Sequence, residues 1–248
     1  MTFLKSNLKF IIFLLAFGLV GGYFTGLYSI EIATPEALVE ITRQVGSVDA
    51  VILITVVQSA LYSVGLGLVG KFFSQKIGLW RELKLERSAL ISCGLVSLIG
   101  GAIFILADVL AFGNFSDVIS ESYAIKPTIS YIIASITYGG VVEEVMLRLF
   151  LMSFIAFLVW KISRAEQAGE GHIIIANIIA ALLFAAGHIP ATVVSIGLSP
   201  MIIARCFLMN GGFGLVFGWL YRKYGIHYSM LAHAGIHIVS KLIWLAFI

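Results

Sequence analysis

The sequence predicts an all-α fold, a polytopic transmembrane helix bundle, on three observations. Of its 248 residues, 60% are hydrophobic, and the mean hydropathy is +1.05. Charged residues make up only 12%, about half of the ~25% usual in a soluble domain. The apolar residues gather into about seven runs long enough to cross lipid, where only helices and closed barrels satisfy every backbone amide. Residues 1–248 therefore read as a single transmembrane domain.

The first run, about 10–30, follows Lys5 and Lys9. It is long for a signal-peptide core and no small-x-small cleavage site follows it, so it reads as a retained span. Further spans fall at about 50–70, 88–112, 128–160, 172–189, 200–221 and 226–247. The fourth would run roughly 50 Å at 1.5 Å per residue, too long for one perpendicular crossing. Gly139-Gly140 marks the place where it would break or kink.

Between spans, Gln75 to Arg87 (QKIGLWRELKLER) reads either as an amphipathic helix on the cytoplasmic lipid surface or as a solvated loop. Glu31 to Asp49 is a mostly acidic outer loop without a motif, and no internal repeat of the transporter kind is visible. Eleven of the sixteen basic residues fall on the side that holds the N-terminus. The positive-inside rule then places the N-terminus in the cytoplasm and the C-terminus outside, in a multi-pass protein of the plasma membrane. Cys93 and Cys206 lie in apolar runs, which argues against a disulfide framework. The net charge of +3 is loop charge, so membrane lipids are the expected surroundings and nucleic acid is not a partner.

Within the spans, most polar residues have simple readings. Asp108, Arg205 and Lys241 fall near outer ends, where side chains snorkel or meet headgroup water. His172 and His227 read as interfacial, and Asn177 and Asn210 as interhelical hydrogen-bonding groups. One stretch has no such reading. Val141 to Phe150, VVEEVMLRLF, places Glu143, Glu144 and Arg148 inside an apolar run, at a cost of at least ~2.5–3.5 kcal/mol per charge at mid-bilayer. Glu144 and Arg148 are spaced i,i+4 and can pair, which leaves Glu143 without a local partner.

Three histidines join them: His188 at the end of FAAGH in the fifth span, and His233 and His237 one turn apart in HAGIH of the seventh. Glu144 and His188 each lie sixteen residues from their cytoplasmic span ends, about 24 Å in, whereas His237 lies only roughly 16 Å from Ile226. A tilted or more deeply starting seventh helix would close that gap. A carboxylate in a dry pocket can act as a general base on water, with imidazole N–H groups stabilising an oxyanion. Alternatively, Glu143, His188, His233 and His237 are ordinary ligand types for zinc. Both routes lead to amide hydrolysis.

At these residues the sequence resembles the CPBP intramembrane proteases, the group that contains CAAX prenyl endopeptidases of the Rce1 type and bacterial Abi proteins. EEVMLR matches its EExxxR motif and FAAGH its FxxxH motif. Gly211 to His237, containing GLVFGWLYRKYGIHYSMLAHAGIH, is similar to its last two helices and HxxxN/D motif. The likeness runs from about Tyr131 to Ile248, making 128–248 the catalytic core and 1–127 additional N-terminal spans. It implies that Glu143 activates water, that Glu144 and Arg148 shape the site, and that His188 and His233 are catalytic. His237 stands where the family usually has Asn or Asp. The resemblance also implies an endopeptidase of the glutamate-dependent, metal-free kind, with zinc as the alternative, acting on a membrane-associated or lipidated peptide or protein. Two other expectations compete with it: a catalytically silent family member that regulates or scaffolds a partner, and a proton-coupled transporter using the same carboxylates and histidines.

Overall fold

The computed structural model describes residues 3–248, with side chains from Ser6 onward. Among the described residues all regular structure is helical. Seven helices are long and apolar enough to cross a membrane: α1 (Ser6–Glu31), α2 (Val48–Lys76), α3 (Arg87–Phe115), α4 (Ile129–Ser163), α5 (Glu170–Ile196), α6 (Pro200–Tyr224) and α7 (Ile226–Phe247). The chain is thus a multi-pass integral membrane protein. Its outward faces agree: Leu95, Leu98, Ile99 and Ile103 of α3 are all exposed, as lipid allows and water would not.

α4 sits at the centre, packed against α1, α2, α5 and α7, while α3 lies along α7. Without a hydrophobic driving force between helices in lipid, close approach depends on small residues. Gly18, Gly22 and Gly26, one turn apart on α1, meet the α2 backbone at Ala60, Val56 and Ile52. One half of the core, on the side of the N-terminal end of α1, collects Leu14, Val145, Leu149, Met152 and Tyr221, and a buried hydroxyl chain links Ser153, Tyr221 and Ser74 at 2.7 Å per step.

Four expectations need correction. α4 does not break at Gly139-Gly140; it runs on through two wide π turns, Ser135–Glu143 and Val145–Met152. The glycines serve close packing: Gly140 lies against Ala234, and Gly139 against His237. α5 continues through Pro190 to Ile196, as transmembrane helices with packed neighbours tolerate. Gln75–Arg87 is not an amphipathic helix. Beyond α2 it is an irregular segment that buries Ile77 and Leu79 and leaves Leu83 and Leu85 exposed. The connections after α1 and α3 also hold short helices, Pro35–Val45 and Asp117–Ala124. The first is capped by Thr34 Oγ1, which accepts from the Ala37 amide at 3.2 Å, with proline at its first position.

The fourth correction concerns charge. Asp108, Arg205 and Lys241 do not snorkel. Asp108 is 1% exposed and accepts two hydrogen bonds from Arg205, at 2.6 Å from Nε and 2.5 Å from Nη2, plus one from Tyr123 Oη at 2.7 Å. Burial and the Asp108 carboxylate push the Tyr123 phenol well up from its ordinary value, so it stays a donor. Lys241 is 3% exposed, inside the bundle. A single sequence shows each charge alone; the partner arrives from another helix.

Candidate active site

Adjacent residues on a helix point about 100° apart, so Glu143 and Glu144 leave α4 in different directions. Glu144 faces α7 and is fully buried. Its Oε1 accepts from His233 Nδ1 at 2.9 Å and lies 3.2 Å from Arg148 Nη1, and its Oε2 accepts from the Ser229 hydroxyl. Arg148, also buried, stacks its guanidinium over Phe184 at 4.7 Å and Phe217 at 5.5 Å. Phe217 in turn stacks on the His233 ring, centroids 4.3 Å apart. Glu144 and Arg148 therefore form the wall behind the site rather than its surface, a buried pair in which the added hydrogen bonds fall on Glu144 while Arg148 Nη1 and Nη2 make none.

Glu143 points the other way, into a cavity of about 380 Å³ also lined by His188, His233, His237, Tyr138 and Asn210. Its side chain keeps 19% of its surface accessible and that of His188 keeps 35%. Glu143 Oε1 and His188 Nε2 are 3.8 Å apart, longer than a direct hydrogen bond, the separation at which a bridging water should be considered. His188 Nδ1 lies 2.9 Å from the Phe184 carbonyl. A carbonyl can only accept, so Nδ1 carries the proton and Nε2 faces Glu143 as an acceptor in the neutral ring.

The histidines of α7 fall in line despite the depth gap. Helix α7 starts inside the bundle, with Ile226 and Tyr228 buried. Tyr228 Oη donates to the Lys84 carbonyl at 2.6 Å and accepts from the Glu86 amide at 2.7 Å, so the 77–86 segment covers the helix start. Gly225, at φ +107°, makes the turn from α6 into α7 that a side chain would strain. The deeper start sets this face of α7 beside Gly139, and the His233 and His237 rings, one turn apart, lie 5.0 Å from each other. Both Nε2 atoms face Gly139, whose added Cβ would sit 3.0 Å from that of His237 and 4.0 Å from that of His233.

Ser229, Lys241 and the cavity role of Asn210 were missed by sequence reasoning. Ser229, His233, His237 and Lys241 stand every four residues on α7, a one-face row that could have been read as such. Asn210 donates to the Cys206 carbonyl in its own helix at 3.2 Å, not across helices. Asn177 does cross, donating to the Leu215 carbonyl at 3.0 Å. His172 accepts from the Gly169 amide and meets Ser163, a structural role at the α4–α5 turn. Cys93 and Cys206 are free thiols. Among the described residues no three His, Cys, Asp or Glu side chains are grouped to hold a metal ion, so Glu143, His188, His233 and His237 do not fit one as they stand.

Residues 125–239 match the family model for type II CAAX prenyl endopeptidase, Rce1-like. Over this segment, just under half of the chain, the protein is similar to the CPBP/CAAX proteases. The likeness supports, in general terms, a CAAX-type intramembrane protease, a hydrolase. All six residues singled out by sequence, Glu143, Glu144, Arg148, His188, His233 and His237, fall within the matched segment. No curated protein and no solved structure gives a significant match.

Proposed function

We propose that the protein is a glutamate-dependent endopeptidase that cleaves a membrane-associated or lipidated peptide within the plane of the plasma membrane. The observation that carries this reading is the contrast between the two adjacent carboxylates. Glu144 spends its oxygens on His233, Ser229 and Arg148, while Glu143 stands free in the cavity opposite His188 Nε2. A water beside this pair can donate one hydrogen to each. As Glu143 takes the proton, the oxygen attacks the scissile carbonyl. His233, held by Glu144 through Nδ1, and His237 offer their Nε2 atoms toward the space that Gly139 leaves open. There an Nε2–H can stabilise the tetrahedral oxyanion, while the proton taken up by Glu143 returns to the leaving amine, directly or relayed through the bare Nε2 of His233.

Access supports a membrane-borne substrate. A second hollow of about 160 Å³ reaches Glu143 and His188 between α4 and α5, past Met146, Leu147 and Leu183. An apolar tail could lie there while the peptide enters the larger cavity.

The test is mass spectrometry of membrane peptides from cells carrying wild-type protein or Glu143→Ala. New C-termini that depend on Glu143 support the reading. A partner retained by both proteins, with no peptide differing, would instead mark a silent regulator, and proton-linked uptake into vesicles would mark a transporter.

A further inference from the structure

We propose that Lys241 is a positioning residue. Its ammonium fixes His237 in the tautomer that carries the ring proton on Nε2, so His237 presents an N–H donor to the cavity. The catalytic value of this donor rests on the peptidase reading above; the tautomer itself does not.

Lys241 lies one turn beyond His237 on α7, with Nζ 3.4 Å from His237 Nδ1. It is buried, and among the described residues no carboxylate lies within ion-pair distance of it. A buried ammonium without a counter-ion is costly to keep, so its other contacts matter. The face of the Tyr131 ring lies 4.3 Å from Nζ, with Phe104 at 6.0 Å, the cation–π geometry that favours the charged form. An ammonium has three donors and no acceptor. While Lys241 carries its charge, Nδ1 of His237 is the bare nitrogen and the proton sits on Nε2; a neutral amine could accept instead, and the ring-nitrogen measurement below distinguishes the two.

The same rule gives His233 the opposite tautomer. Its Nδ1 lies 2.9 Å from the Glu144 carboxylate and must donate, leaving Nε2 as the acceptor in the neutral ring. The two imidazoles therefore face the Gly139 space as one acceptor and one donor. Hydrolysis needs this pair: a base or proton carrier beside a fixed oxyanion donor. It also explains how a histidine can serve where the family usually has an amide. An amide carries its own N–H, whereas an imidazole needs its tautomer set, and Lys241 sets it.

The experiment uses the full chain with ¹⁵N-histidine in lipid nanodiscs, reading the ring nitrogens of His237, assigned by their loss in His237→Asn. Wild type and Lys241→Arg should show Nε2 protonated and Nδ1 bare. Lys241→Met should shift the ratio by about tenfold or more toward Nδ1–H, the worth of one charge-assisted hydrogen bond. A wild-type His237 protonated on Nδ1 overturns the proposal by itself, whether or not Lys241→Met folds. A folded Lys241→Met with an unchanged tautomer overturns it equally. On the peptide that membrane mass spectrometry delivers, Lys241→Met should lower kcat about 10²-fold, as loss of one oxyanion donor does. KM should change little, and Lys241→Arg should restore turnover. In a His237→Asn background Lys241→Met should add no further loss; a further loss there contradicts the assignment. Absence of any cleavage by wild type would refute the peptidase reading and leave the nitrogen result standing.

Discussion

The neighbouring glycines at the α4–α7 contact separate fold from chemistry when each is replaced by alanine. In Gly140→Ala the new methyl would lie 2.7 Å from Ala234 Cβ and 2.8 Å from Ala234 Cα. Carbon atoms pack at about 3.5–4.0 Å, so α7 must retreat by roughly 1 Å, and its backbone cannot do so locally. Overpacking of this kind costs about 1–3 kcal/mol, and the upper half of that range applies here. In Gly139→Ala the methyl meets the tip of an imidazole, His237 Nε2 at 3.0 Å and Cδ2 at 3.4 Å. The ring can turn aside, so stability falls by about 1 kcal/mol or less. Activity, however, should drop at least about tenfold, because misplacement by about 1 Å can cost 10²-fold. Unfolding in mixed detergent–SDS micelles measures the first quantity, and turnover of the identified peptide measures the second. Equal destabilisation by both variants, or full turnover by Gly139→Ala, would refute the packing argument.

Three further outcomes follow from the same coordinates. Asp108→Ala strands Arg205 and the Tyr123 phenol, and should cost about 3 kcal/mol, the low end for a broken buried pair because Arg205 keeps some exposure; Asp108→Ala/Arg205→Met should recover part of the loss in the same unfolding assay. Incubation with 1,10-phenanthroline or EDTA should leave peptide cleavage within about twofold of the untreated rate, since the donor set does not fit a metal; a loss restored by zinc would reverse this. A periplasm-active reporter fused after Ile248 should be active, and one fused in the 77–86 segment inactive, as the distribution of basic residues requires.

Much of this architecture was legible before any coordinates, because lipid leaves few choices. The apolar runs had to be helices, and six polar residues inside them had to find one another. EExxxR, FxxxH and the paired α7 histidines named the residues that the cavity and its wall bring together. What the sequence hid was relational. Asp108 and Arg205 each looked like a snorkelling end group until α3 and α6 were placed side by side. Gly139-Gly140 looked like a helix break because glycine marks both breaks and close contacts, and only Ala234 and His237 across the gap decide between them. The fifth span seemed to end near residue 189, since the neighbours that let α5 run on through Pro190 to Ile196 are remote in sequence. Lys241 was the costliest miss: the four-residue row from Ser229 pointed to it, but its distance from Ile226 suggested headgroup water instead.

The most direct measurement is turnover by purified protein in liposomes, wild type against Glu143→Gln, with mass spectrometry of the new C-terminus. Glu143→Gln keeps the shape and removes the base, so the rate should fall about 10²–10⁴-fold with the bundle still folded. Cleavage at the wild-type rate by Glu143→Gln would show that some other group activates the water.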